Sequence, residues 1–274
     1  MSCLKKWRWI AVILLLFPIW SARANGQTIA ADNVTAAQGS CLGASKAAGN
    51  STTTPANTWD STFTGIATAT GSGYSGGAFL LDPIAKDREI TALNPAQANL
   101  GGIRAAMAGA YLRVQGPKGC TTVYVTDLYP EAASGGLDLS YNAFSKIGDL
   151  QQGRIPIRWK LIPGPVTGNV VYRIKEGSTM WWAAIQVRNH TYPVVKLEVF
   201  QGKAWVSLPK ADYNHFVGTQ LGDKPLVIRI TDIRGRLLVD KLPPLLKDCA
   251  PKRANEASPC DKPYFVQGNV QFPE

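Results

Sequence analysis

Two groups of residues have the types and spacing to do chemistry on a polymer. The first is acidic. Asp127 and Tyr129 lie two apart in Thr126-Asp127-Leu128-Tyr129-Pro130-Glu131, and Asp138 follows the turn Gly135-Gly136. On a strand, residues two apart share a face, and a glycine turn can bring Asp138 back beside them. Asp-Tyr-Asp in a groove suits glycoside chemistry, although aspartates in such places often only hold turns. The second group is aromatic: Trp181-Trp182, with Lys175 six residues earlier and Tyr213 in Asp212-Tyr213-Asn214-His215-Phe216. Flat exposed rings fit the C–H face of a glucan. On a regular strand, adjacent tryptophans point to opposite faces, which predicts one ring in the core and one outside. The glycine loop Thr68–Gly77 is rich in hydroxyls but lacks the Lys-Ser/Thr ending of a phosphate loop, which removes nucleotide binding. The two histidines, His190 and His215, have no metal-ligand spacing, so no metal and no cofactor are expected.

The elements that must position these residues are mostly strands. Thr121–Thr126, Val194–Phe200, Ala204–Leu208 and Leu226–Thr231 are β-branched or aromatic runs separated by Gly and Pro clusters. Asn94-Pro95 has the form of a helix N-cap followed by proline. Ser140–Ile147 puts Ala143, Phe144 and Ile147 on one helical face, with Gly148 to stop it. Leu161-Ile162-Pro163-Gly164-Pro165 marks a boundary, because two prolines around a glycine disfavour continued pairing. Residues 58–163 carry nine bases and eight acids; residues 164–274 carry fifteen and ten, so the second part is the more basic.

The ends speak to location. Lys5, Lys6 and Arg8, the apolar run Trp9–Trp20 and Ala22-Arg23-Ala24 form the three parts of a secretory signal, residues 1–24, with cleavage after Ala24. The run is too short to span a membrane. The mature chain is therefore expected to be secreted and free of membrane, with 25 bases against 19 acids. That charge suits an acidic surface such as pectin but is too thin for nucleic acid. Residues 25–57 are rich in Ser, Thr, Ala and Gly and read as a flexible leader. Of the cysteines left, Cys249 and Cys260 bracket a short loop and form the natural local disulfide, leaving Cys41 with Cys120.

The motifs Thr70–Phe79, Thr126–Glu131, Gly136–Asp138, Tyr172–Gly177, Trp181–His190, Asp212–Phe216 and Gly268–Glu274 resemble bacterial expansins, in order and over nearly everything from residue 58 onward. The resemblance implies an all-β fold: a six-stranded double-psi β-barrel over 58–163, like that of family 45 endoglucanases. An immunoglobulin-like β-sandwich over 164–274 follows it, a family 63 cellulose-binding module. Thr68, Asp127, Tyr129 and Asp138 would line the barrel groove, with Asp138 the residue most needed and Thr70, Ser72 and Glu131 nearby. Trp181, Trp182 and Tyr213 would form a flat cellulose-binding face with Lys175 beside it, which reverses the alternation argument for the tryptophan pair. Implied partners are cellulose and other plant cell-wall glucans, with pectin or peptidoglycan as electrostatic partners of a monomer. The leader and the Cys249–Cys260 insertion depart from the family pattern.

Hydrolysis is not expected. An inverting glycosidase needs an acid and a separate base about 6.5–9.5 Å apart. Asp138 matches the acid position, but the first strand, Phe63–Thr70, has no carboxylate. Thr68 is no base at neutral pH. Asp127, if beside Asp138, is expected to hydrogen-bond the acid. A non-hydrolytic wall loosener is the leading reading; a weak endo-β-glucanase and a pure polysaccharide-binding module are the alternatives.

Overall fold

The computed structural model describes residues 41–42, 59–251, 253 and 255–273. The signal segment and the leader, apart from Cys41 and Leu42, lie outside the described residues.

Strict alternation builds the first unit. In β6 (Ile155–Ile162), Ile155, Ile157, Trp159 and Leu161 are buried and the residues between them are not. The period of two lays one face on a core. Five further strands join it: β1 (Thr62–Thr70), β2 (Ile90–Leu93), β3 (Tyr111–Gly116), β4 (Gly119–Leu128) and β5 (Leu137–Ser140). They close into a barrel in the order β1-β5-β2-β4-β3-β6. The pairs β1–β5 and β2–β4 are parallel and the other four are antiparallel. The Trp159 ring stacks on Phe63 at 4.3 Å, and its indole N–H donates to the Gly135 carbonyl at 2.8 Å. The predicted helices both form. Asn94 caps α1 (Pro95–Ala98), its side chain accepting from the Ala96 N–H at 2.8 Å. In α2 (Tyr141–Ile147), Ala143, Phe144 and Ile147 are buried and Gly148 ends the helix. Ser140 does not cap α2 with its side chain; its hydroxyl instead accepts from the Ile90 N–H at 3.1 Å.

The second unit is two four-stranded sheets. One has the order β11-β8-β7-β14, from β7 (Val171–Ile174), β8 (Trp182–Arg188), β11 (Phe216–Thr219) and β14 (Tyr264–Gln267). The other has the order β10-β9-β12-β13, from β9 (Val194–Gln201), β10 (Ala204–Leu208), β12 (Leu226–Asp232) and β13 (Leu237–Leu242). Tyr172, Ile185 and Phe216 of the first sheet share one core with Val199, Ile228 and Leu242 of the second, so the two form a sandwich. Both expected disulfides are present: Cys41–Cys120, with Cα atoms 6.5 Å apart, and Cys249–Cys260, at 5.3 Å.

Strand β6 runs to Ile162 and stops before Pro163. A polar seam then ties barrel to sandwich. Gln186 donates to the Phe79 carbonyl at 2.8 Å, and Arg188 donates to the carbonyls of Leu80 at 2.6 Å and Asp82 at 2.7 Å. The Lys210 ammonium bridges the carbonyls of Ala105 and Val194 at 3.0 and 2.8 Å. Arg234 grips both oxygens of Asp60 at 2.9 and 2.7 Å. Among the described residues, no helix is long and apolar enough to cross a membrane.

Candidate polysaccharide-binding groove and aromatic face

The barrel register sets the acidic group. Parallel pairing of β1 and β5 places Thr68 opposite Asp138. On the other side of β5, Ala92 of β2 lies opposite Asp138, and Ala92 is in turn opposite Asp127 of β4. Thr68, Asp138, Ala92 and Asp127 therefore form one row across four neighbouring strands. The two aspartate backbones stand two strand spacings apart, about 10 Å, and the alanine between them leaves room.

Each carboxylate has its own partners. The Thr68 hydroxyl donates to Asp138 at 2.5 Å. Asp127 does not bond to Asp138 as expected. One of its oxygens accepts two backbone N–H groups, from Ala78 at 2.7 Å and Leu128 at 2.8 Å. Asp127 thus anchors the glycine loop to the end of β4. Gly77, at φ 60°, makes that approach possible: a Cβ there would fall 2.4 Å from the Thr126 carbonyl and 2.7 Å from the Asp127 Cβ. Gly77→Ala is expected to cost about 2 kcal/mol, read by urea denaturation. A stability equal to wild type would show that the loop relaxes freely.

Thr70, Ser72, Thr126, Asp127 and Asp138 line a cavity of about 50 Å³. Thr70 and Ser72 hydroxyls bond each other at 2.8 Å. Strand β4 bulges opposite the Thr91–Ala92 step of β2, which leaves Thr126 without an opposite residue there, and among the described residues its buried hydroxyl has no hydrogen-bond partner. Tyr129 and Glu131 do not line this cavity but follow Leu128, which does. Strand β4 ends at Leu128, so Tyr129 falls outside the alternation; its N–H donates to the Leu93 carbonyl, and Glu131 is exposed in the following turn.

Partial burial pushes the Asp138 carboxyl above the ordinary range, and the Asp127 charge adds to this; the Thr68 hydrogen bond opposes it. A carboxyl whose folded pKa is raised favours the fold in its protonated form. Its contribution is greatest below the unfolded value and is lost as pH rises through the folded value. Asp138→Asn keeps the shape and removes the charge. Its Tm is expected to exceed wild type at pH 7, and the difference should vanish near pH 3. An equal or lower Tm at pH 7 would contradict this electrostatic account.

The aromatic group lies on the sandwich. Ala183, Ile185 and Val187 of β8 enter the core, so Trp182, Ala184, Gln186 and Arg188 face the other way. Trp181 precedes the strand. Its N–H reaches the Thr179 hydroxyl at 3.3 Å, its carbonyl accepts from the Gln220 N–H at 2.8 Å, and the residue is 61% exposed. Trp182 is half-buried on the outer face, paired with Thr219. The expected split of one core and one exposed ring fails because the strand starts at Trp182 and Trp181 lies outside its alternation.

A buried network sits behind Tyr213 and Lys175. His215 carries its ring 5.2 Å from Tyr213, and burial holds the imidazole down to about 4, so it is neutral. Nδ1–H donates to the Tyr213 carbonyl at 2.8 Å and Nε2 accepts from Arg173 at 3.1 Å. Arg173 also stands 3.7 Å from Asp82 and from Glu176, and Glu176 accepts from the Lys175 ammonium at 2.5 Å.

No family model matches the chain. Expansin-YoaJ of Bacillus subtilis is 58% identical over 216 residues, which is 79% of this chain and 89% of that protein. The chain belongs to the expansins. Expansin-like protein 5 of Dictyostelium discoideum is more distant, 27% identical over 50% of this chain and 61% of its own length. Crystal structures of the Clavibacter michiganensis expansin, a mutant with cellohexaose and the apo protein, are 31% identical. They superpose with TM-scores of 0.65 and 0.63, each over 78% of this chain and 99% of the other.

In this expansin, the groove and the aromatic face are linked through one loop. Ala78 is bound to Asp127 and its neighbour Phe79 to Gln186, four residues along β8 from Trp182, about 13 Å. Gln186, Arg188 and Arg173 went unnoticed as positioning residues in the sequence. For Gln186 and Arg188 the signal was present: polar residues that share the parity of Trp182 in an otherwise apolar strand. Thr126 had no comparable signal, because its place depends on a bulge.

Proposed function

We propose that this expansin is secreted after cleavage at Ala24 and binds cellulose and related wall glucans, loosening them without cutting. Residues 58–163 serve as the gripping barrel and 164–274 as the binding sandwich. Trp181, Trp182 and Tyr213, with Lys175 beside them, dock a glucan surface. Asp138, with Thr68, Thr70, Ser72 and Asp127 around it, holds a neighbouring chain; Tyr129 and Glu131 flank the groove end. Hydrogen bonds from Asp138 to sugar hydroxyls replace glucan–glucan contacts, so no cofactor or covalent step is needed. The cellohexaose complex of the Clavibacter protein supports glucan binding by this shared fold. The net positive charge of residues 164–274 favours pectin or peptidoglycan as additional, electrostatic partners.

One observation carries the non-hydrolytic reading. The residue opposite Asp138 on β1 is Thr68, and Asp127 is committed to two backbone N–H groups. A threonine hydroxyl is no base at neutral pH, and the Asp127 oxygen that anchors the loop is already occupied, which supports loosening over hydrolysis. A second reading, weak endoglucanase activity, draws on the raised pKa of Asp138, which a general acid requires. Extension of heat-treated plant wall under constant load, with sugar release assayed in parallel, separates the two. Extension without sugar supports loosening by binding; sugar release that disappears in Asp138→Ala supports hydrolysis.

A further inference from the structure

We propose that the half-enclosed cavity at the barrel–sandwich seam, distinct from the groove and the aromatic face, binds a small oxyanion between Arg88 and Arg188. The cavity holds about 140 Å³, and Arg88, Tyr111 and Tyr124 from the barrel meet Arg188, Asn189 and His190 from the sandwich in its walls. Four or five waters would fill it, at about 30 Å³ each. A carboxylate or sulfate group fits; a glucan chain does not.

The charges point to an anion. Arg188 is half-buried, and its hydrogen bonds all go to neutral groups: the Gln186 side-chain oxygen at 2.5 Å and the carbonyls of Asp82 and Leu80. A guanidinium has five N–H groups, so two remain for a ligand. Arg88 stands over the Tyr124 ring at 4.8 Å, a contact that holds the cation at the mouth without neutralising it. Among the described residues, eleven ion pairs form, none of them at Arg88 or Arg188, and the Asp82 carboxylate acts on Arg188 only from beyond ion-pairing distance. A cation partly removed from water gains most from a counter-charge in the same cavity.

The rest of the wall is built for hydrogen bonding. His190 is 4% exposed, and among the described residues its Nδ1 has no hydrogen-bond partner. Gly109, at φ 72°, keeps the floor open: a Cβ there would lie 3.2 Å from His190 Nε2 and 3.3 Å from the Tyr124 hydroxyl. Two guanidinium groups, a phenol and an imidazole converging on so small a space match the several lone pairs of an oxyanion. Because the arginines come from opposite sides of the seam, a bound anion would also clamp barrel to sandwich.

The test uses the whole mature chain at constant ionic strength, with chloride as the balancing salt. Sodium sulfate, sodium galacturonate and neutral glucose are titrated by calorimetry, with thermal unfolding as a second readout. Saturable binding of sulfate, galacturonate or both, with a rise in Tm, is expected; glucose should do nothing. Galacturonate alone would identify an acidic sugar as the source, whereas sulfate binding as well would identify any small oxyanion. Arg188→Gln removes three hydrogen bonds as well as a charge, so Arg88→Gln, on an exposed side chain, is the decisive variant. It should raise the Kd about tenfold. No saturable binding beyond chloride, or equal affinity in Arg88→Gln and wild type, would overturn the proposal.

Discussion

Asp138→Ala is expected to slow wall extension at least about tenfold while leaving retention on cellulose unchanged. The carboxyl sits between Thr68 and Ala92, with one oxygen engaged by the threonine hydroxyl and its side chain on the cavity wall. Hydrogen bonds to an ionised group contribute about 1.5–3 kcal/mol each. Losing one or two from the gripping state lowers extension rate by at least about tenfold. The aromatic face is on a different unit and does not depend on this side chain. Asp138→Asn separates charge from shape: if the charged acceptor matters, the asparagine variant also extends walls slowly. Extension at the wild-type rate in Asp138→Ala would assign the grip to other residues.

The paired substitution Trp181→Ala, Trp182→Ala is expected to weaken retention on microcrystalline cellulose about a hundredfold, since well-placed aromatic anchors carry about 2 kcal/mol or more. Neither ring is part of the sandwich core, so the fold should survive, and near-native thermal unfolding is the control. Trp181→Ala alone should account for much of the loss, because Trp181 is the more exposed of the two residues. Pull-down with microcrystalline cellulose at several protein concentrations gives the affinity. Unchanged retention in the double variant would move the docking face elsewhere.

Local order was legible wherever a pattern stayed within one element. The run Ala204–Leu208 is a strand over those same residues. Asn94-Pro95 opens a helix, and the Cys249–Cys260 pair followed from a short bracketed loop. What was not legible depends on where elements end or on what lies across a sheet. The parity argument for Asp127 and Tyr129 assumed one continuous strand, and β4 stops at Leu128, between them. The parity argument for the tryptophans assumed the same, and β8 starts at the second ring. The space between Asp127 and Asp138 comes from Ala92, more than thirty residues away in sequence, through two registers that no local pattern encodes. The family resemblance supplied the groove and the aromatic face; the structure adds the Asp127–Ala78 anchor and the Gln186–Phe79 link that join them.

The central claim is that glucan contacts loosen without any glycosidic bond breaking. It is tested most directly by counting reducing ends, in both the soluble and the insoluble fraction, of a heat-treated wall strip while the protein extends it under load. The account predicts sustained extension with reducing ends at the level of a buffer-treated strip. A rise in reducing ends that tracks extension, and that disappears with Asp138→Ala, would contradict it.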